Sequence, residues 1–101
     1  MKIIAVNIHN KLAEGMSTMA ATQRAWIFNL NNLLNDLPDF VIGVAAGNVK
    51  GYFKLLSVGP DILPGRVIFT LRNCTPAEII IINSAILGEN LKYFVTKIIV
   101  V

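Results

Sequence analysis

The chain has few of the side chains that most often carry enzyme chemistry. Its 101 residues include one cysteine and one histidine, and only 15% of them are charged. A single cysteine, Cys74, forms neither an intrachain disulfide nor a multi-thiolate metal site. His9 has no second histidine beside it, and the six acidic residues are scattered along the chain. We therefore expect no catalytic set, no metal site and no cofactor, and a binding module rather than an enzyme.

Long apolar runs are also missing, although 54% of the residues are hydrophobic. A membrane-spanning helix needs roughly 18 or more consecutive apolar residues. The longest apolar block covers only Phe40 to Gly47, and the run of isoleucines at 79–82 stops at Asn83. The apolar stretch after Lys2 is cut at Asn7, too early for the core of a secretory signal. We expect one domain over residues 1–101, no membrane partner and a cytoplasmic location.

Apolar periodicity predicts most of the elements. Strands are expected where β-branched residues cluster, over residues 2–8, 66–72 and 91–101. A hairpin is expected over 40–46 and 49–56, because the linking Gly47-Asn48 tolerates positive φ. A long helix is expected over 18–37, since Trp26, Ile27, Leu30, Leu33, Leu34 and Leu37 fall within roughly 120° of a helical wheel. Pro38 ends that helix because the residue before proline is disfavoured in the α conformation.

Residues 76–87 contain two patterns that predict different secondary structures. The run of isoleucines favours a strand, because β-branched side chains are stiff in a helix. Thr75-Pro76-Ala77-Glu78 instead forms a capping box with proline at the first helical position, which predicts a helix that ends at Gly88. We take the helix. The resulting α+β order predicts a small, mostly antiparallel, five-stranded, partly closed barrel with one long and one short helix.

Part of this order resembles a known superfamily. A segment Ala21-Thr22-Gln23-Arg24-Ala25-Trp26 is followed by the strand Phe40-Val41-Ile42-Gly43-Val44, by Gly47 and Tyr52-Phe53, and by Gly65-Arg66-Val67-Ile68-Phe69. This succession, over residues 2–72, resembles small bacterial proteins of the PUA-like superfamily. Some of these occur beside or fused to restriction-type nucleases. The related EVE and ASCH domains are small pseudo-barrels, and many such domains bind RNA or a modified base. The tryptophan common after the second hairpin strand is missing from the loop at 57–63.

The resemblance and the residues together select the binding candidates. Trp26 is either a stacking platform for a base or a core residue, and its central place on the apolar arc favours the core. Arg24 is either a phosphate or carboxylate ligand or a solvated side chain. Basic residues interleaved with an aromatic residue can bind nucleic acid, but such residues are also common on any solvent-exposed face of a sheet. The candidates on such a face are Lys50, Tyr52, Lys54, Arg66 and Arg72.

Two functions remain open from the sequence. The first is a module that binds RNA, DNA or a modified nucleotide, which the net charge of +3 permits without demanding. The second is a protein-interaction or homodimer-forming domain, because the apolar strand Lys97–Val101 is a pairing hazard if it lies at an exposed edge.

Overall fold

The computed structural model describes all residues from Met1 to Val101. It is a compact α+β domain in which a curled, mixed six-stranded sheet forms a half-barrel with four helices. The strands are β1 (Lys2–Asn7), β2 (Arg24–Ile27), β3 (Phe40–Ala45), β4 (Asn48–Pro60), β5 (Arg66–Asn73) and β6 (Thr96–Val100). The helices are α1 (His9–Ala13), α2 (Thr18–Gln23), α3 (Leu30–Asn35) and α4 (Pro76–Ala85). None of these helices has the length and apolar content needed to cross a bilayer.

The strands lie in the order β2-β5-β4-β3-β1-β6, and only the β1–β3 pair is parallel. Parallel neighbours require a long crossover, which here contains α1, α2, β2 and α3. The α+β class and the mostly antiparallel sheet are confirmed. The expected count of five strands is wrong, because β2 forms within the segment predicted as a long helix.

Both faces of the sheet carry a core. One cluster joins Ile4, Val6, Val41 and Phe69 with residues from α2 and α3. The other joins Ile3, Ile42 and Ile99 with Ile82 and Ile86 near the end of α4. β1 and β3 are therefore buried on both sides, which explains why their residues are apolar without alternation.

The predicted helix over 18–37 is wrong as one element. α2 ends at Gln23, β2 pairs with β5, and a separate six-residue helix, α3, follows. The apolar arc is divided accordingly: Trp26 and Leu33 are buried, whereas Ile27 is 66% exposed. The break lies at Ala25, whose φ of 70° is left-handed and incompatible with a continuing α-helix. Ser17 caps α2 by accepting the Ala20 N–H, and Asn29 caps α3 by accepting the Asn32 N–H.

The other predicted elements differ mainly in their limits. The hairpin is present, but its turn residues are Ala46 and Gly47, with φ of 52° and 78°, rather than Gly47 and Asn48. The capping box is present, and α4 confirms the helix over the strand at residues 76–87. The last strand begins only at Thr96, because residues 91–95 form an irregular segment.

The α4 capping box yields a prediction about pH. Hydrogen bonds from Arg72, and then from the Thr75 backbone, lower the pKa of Glu78 to about 2. Because this folded-state value lies below the ordinary 4.5, the stabilisation is present above pH 4.5 and is lost as pH falls toward 2. We expect Glu78→Gln to be less stable than wild type in urea at neutral pH and to converge with it near pH 2.

The glutamine keeps one oxygen for the capping hydrogen bond, so the variant removes the carboxylate charge and the second Arg72 bond but not the cap. Glu14→Gln is the matched control, since Glu14 is exposed and forms no ion pair. A stability difference between Glu78→Gln and wild type that is independent of pH would show that the Arg72–Glu78 ion pair does not contribute.

Candidate functional site

A cavity of about 520 Å³ opens beside Trp26, where α1 and the segment 91–95 approach the β3–β4 turn. Its lining residues are Asn7, His9, Asn10, Lys11, Trp26, Ala46, Lys92, Phe94 and Val95. Two of them are lysines, one is a histidine, two are aromatic and none is acidic. The cavity therefore combines cationic and aromatic surface, which suits an anionic ligand that also has a planar apolar part.

Asn7 holds two walls of the cavity together. Its carboxamide oxygen accepts the His9 N–H at 3.0 Å, which fixes the start of α1. Its carboxamide nitrogen donates to the Phe94 carbonyl at 3.3 Å, and its backbone N–H donates to the Val95 carbonyl at 2.9 Å. One residue at the end of β1 thus positions His9, Phe94 and Val95.

The third wall depends on the β3–β4 turn. Gly47 has a left-handed φ of 78°, and a Cβ at this position would lie 2.9 Å from Cγ of Lys92. The missing side chain therefore lets the stem of Lys92 lie directly on the turn. Lys92 itself is exposed, and its backbone N–H donates to the Asn90 side chain at 2.9 Å. Its ammonium group remains accessible to a ligand.

Lys11 forms the cationic floor of the site. Its ammonium nitrogen lies 3.8 Å from the centroid of the Trp26 ring and donates to the Arg24 carbonyl at 2.6 Å. A longer bond of 3.3 Å reaches the Ala21 carbonyl. Partial burial, and then the positive charges of Arg66 and Arg24, lower the pKa of Lys11. The indole of Trp26 is 6% exposed, and its N–H donates to the Thr22 carbonyl at 2.8 Å.

Charged side chains also hold the break between α2 and β2. Arg24 binds Asp61 through two bonds of 2.6 and 3.2 Å. Asp61, whose side chain is fully enclosed, also accepts the Ala25 N–H at 3.1 Å. Arg66 donates to the Ala25 carbonyl at 2.7 Å. The hydrogen bond from Arg24 is the main reason why the pKa of Asp61 is lowered.

The predicted candidates thus fall into two groups. Trp26 lines the cavity, and Arg24 and Arg66 lie next to it at the Ala25 junction. The other four do not line the cavity. Two of them contact α4: Arg72 pairs with Glu78 at 2.8 and 3.0 Å, and the Tyr52 hydroxyl donates to Asn83 at 2.7 Å.

The remaining two lysines of that group differ. Lys54 lies 3.9 Å from Asp39 and 5.0 Å from the centroid of the Phe40 ring. Lys50 is exposed. Arg66 and Arg72 stand six residues apart on β5, about 20 Å at ~3.3 Å per residue, so the expected basic face is not one continuous patch. Only Lys50 in this group carries a charge without a partner in the fold.

Sequence reasoning missed Lys11, Lys92 and Phe94 as site residues. The spacing of Lys11 from Trp26 gives no signal, because the two residues lie on separate elements that meet only in the folded chain. Lys92 and Phe94 fell within a stretch predicted as strand.

Searches against protein-family models, curated proteins and solved structures found no match to this chain, so no family is assigned from them.

Proposed function

We propose that this chain is a non-catalytic module that binds a nucleotide unit of RNA or DNA, including a modified base, in the cavity beside Trp26. The observation that carries the proposal is the composition of the cavity wall. Lys11 and Lys92 supply positive charge for a phosphate, and Phe94 supplies aromatic surface for a base. The small exposed part of Trp26 borders the same space, and no carboxylate lines it.

The amides of the cavity add a means of selection. Asn7 and Asn10 lie on its wall, and a carboxamide both donates and accepts hydrogen bonds, as the edges of bases do. The volume of about 520 Å³ lies within the range of roughly 300–1,000 Å³ typical of small-ligand sites. A single extruded base with its phosphate, rather than a duplex, is the ligand of the proposed size.

The resemblance to PUA-like proteins supports the same function. The curled six-stranded sheet is compatible with a PUA-like pseudo-barrel, and we propose that the domain belongs to that superfamily. Members of the superfamily often bind RNA or modified bases. The resemblance alone does not assign an activity, since one fold hosts many functions. The chemistry of the cavity therefore has to carry the assignment.

Fluorescence provides the direct experiment. Trp26 is the sole tryptophan of the chain and lines the cavity, so a ligand that enters should change its emission. Short single-stranded RNA and DNA, with plain and modified bases, are titrated into the protein over a salt series. We expect saturable quenching and an affinity that falls as salt rises, because phosphate binding releases counterions.

Two single-lysine variants locate the site. Lys92→Ala should weaken binding uniformly across sequences and reduce the salt slope by about 1, as expected for the loss of one phosphate contact. Lys50→Ala removes the same charge from β4 at a position that does not line the cavity, and it should leave the affinity close to wild type. If Lys50→Ala weakens binding and Lys92→Ala does not, the basic face of β4 is the site. If no nucleic acid binds at low salt, the proposed function is wrong.

A further inference from the structure

The two edges of the sheet differ in how their backbone groups are satisfied. At the β2 edge, Lys11 donates to the Arg24 carbonyl, Arg66 donates to the Ala25 carbonyl, and the Ala25 N–H donates to Asp61. A bulge interrupts this short strand as well. Charged side chains, short length and a bulge are the usual devices that prevent edge pairing. The β2 edge is therefore closed to another strand.

The β6 edge has no bulge, and the strand is one residue longer than β2. The strand contains no proline, pairs with β1 in continuous register from Thr96 to Val100, and carries one charged residue, Lys97. The ammonium group of Lys97 is held by Glu89 at 3.2 Å and by the Asn90 carbonyl at 3.4 Å. The ammonium group is thus bound within the same chain, and it does not prevent another strand from pairing with this edge.

Hydrogen bonds to β1 identify which peptide groups of β6 face outward. Val101 and Met1 exchange two backbone bonds, and the Asn7 N–H donates to the Val95 carbonyl. Antiparallel partners alternate between bonded and non-bonded pairs, so the odd-numbered residues of β6 turn their peptide groups toward β1. The N–H and C=O groups of Thr96, Ile98 and Val100 therefore point to the free edge, where the structure provides no partner for them.

Side chains at this edge are apolar and uncovered. Ile98 is 46% exposed and Val100 is 69% exposed, and both lie on the face opposite Ile99, which is buried under α4. An exposed apolar strand with outward peptide groups is a template for another strand.

We propose that β6 pairs antiparallel with β6 of a second copy of this chain, around a two-fold axis at Ile98. Ile98 then lies opposite Ile98 of the second copy, and Thr96 lies opposite Val100. All three outward residues become members of hydrogen-bonded pairs, which gives about six backbone bonds at two per pair. The result is one continuous sheet with six strands from each copy.

The number of paired peptide groups selects this register over its neighbours. A shift that centres the axis on Lys97 pairs Thr96 with Ile98 but places Val100 opposite the irregular segment before β6, so it keeps only two of the three bonded pairs. A shift that centres it on Ile99 pairs Ile98 with Val100 but leaves Thr96 without a partner in β6, so it also keeps only two. The register centred on Ile98 places Lys97 opposite Ile99 and has no like-charge contact. A two-fold axis also makes the surface self-complementary, as a closed dimer requires.

Mass measurement over a wide range of protein concentration tests the proposal. Multi-angle light scattering should show a species of twice the 11.1 kDa chain mass, which dissociates on dilution. Ile98→Lys places two ammonium groups on the axis and should give a monomer of unchanged far-UV circular dichroism. Val100→Lys is a second variant at an exposed position and should weaken the dimer. Ile62→Lys, which changes an 87% exposed residue next to Asp61 at the opposite edge of the sheet, should leave the dimer intact.

A cross-link tests the register independently of stability. In a Cys74→Ser background, Ile98→Cys should form an intermolecular disulfide on mild oxidation, because bonded antiparallel partners have Cα atoms about 5.5 Å apart. Thr96→Cys should not, since its partner is Val100. A wild-type chain that stays monomeric at high concentration overturns the proposal, as does a dimer that both lysine variants at the edge leave unchanged. The nucleotide titration with Ile98→Lys separates this proposal from the binding function, which does not require the second copy.

Discussion

Gly43→Ala is expected to lower the free energy of unfolding by about 1–3 kcal/mol, the usual cost of forcing an extra carbon into a packed core. Gly43 lies on β3, opposite Gly51 of β4, and α2 packs across this pair. A Cβ at Gly43 would lie 2.9 Å from Cδ1 of Ile8 and closer still to Oγ1 of Thr22. Thr22 is fully buried and bonded to the Thr18 carbonyl at 2.8 Å, so it has little room to move.

The same substitution should disturb the cavity. The Trp26 N–H donates to the Thr22 carbonyl, so a shift of α2 away from the sheet moves the indole with it. We expect Gly43→Ala to change the emission of the folded protein and to weaken nucleotide binding. Thermal or urea unfolding at one fixed protein concentration gives the stability change. For a chain of this size, each kcal/mol corresponds to about 4–8 °C in Tm.

Two further variants isolate the steric cause. Gly59→Ala adds the same carbon to β4 where no atom lies within 4 Å, and should be neutral or stabilising by about 0.5–1 kcal/mol, because glycine weakens a strand. Thr22→Ala removes the nearest obstacle, so Gly43→Ala with Thr22→Ala should cost less than the sum of the single changes. Equal effects of Gly43→Ala and Gly59→Ala would contradict close packing of α2 on the sheet.

Elements with a strong local signal were predictable from the sequence. The capping box at Thr75–Glu78 correctly outweighed the isoleucine run, because two reciprocal hydrogen bonds fix the helix start whatever follows. Ile80 is 68% exposed while Ile82 is fully buried, so the run does not behave as one face of a strand. The hairpin was predictable for a similar reason, since glycine in a short polar link leaves few alternatives to a tight turn.

The prediction of one long helix over 18–37 was wrong because non-local contacts override the helical periodicity of the apolar residues. Residues 24–27 have an apolar pattern compatible with a helix, but the edge of β5 offers them backbone partners. The left-handed conformation of Ala25 is then held by Asp61 and Arg66, which are distant in sequence. A helical wheel uses only the spacing of residues along the chain, so it cannot include partners that are distant in sequence.

The site was predictable only in part for the same physical reason. Trp26 was a candidate from its residue type, and it lies on the cavity. Lys11, Lys92 and Phe94 reach the cavity because the parallel β1–β3 pair and the antiparallel β1–β6 pair bring the ends of three strands together. That placement depends on strand order, which the sequence pattern did not specify. The tryptophan missing from the loop at 57–63 is also no obstacle to this cavity, which is lined by other segments.

Trp26→Ala is expected to have the largest effect on stability, a loss of about 3–5 kcal/mol, because it removes a large core side chain. The indole is 6% exposed and belongs to the core cluster with Val67 and Phe69. Its removal also takes away the indole N–H that binds the Thr22 carbonyl and the ring that lies under the ammonium group of Lys11. Urea unfolding followed by far-UV circular dichroism measures the loss, since the fluorescent probe is gone.

Tyr93→Ala is the matched control, because Tyr93 adjoins the cavity-lining Phe94 in the chain but is 88% exposed. Its effect should stay within about 0.5 kcal/mol, as for most surface substitutions. Trp26→Phe retains apolar volume but loses the indole N–H, so its stability should lie between that of Trp26→Ala and wild type. If Trp26→Ala costs no more than Tyr93→Ala, Trp26 is a surface platform and not a core residue. If the order is as expected, the residue that supports the fold also forms the wall of the cavity. Changes that alter ligand binding are then best made at Lys92, which is exposed and forms no ion pair.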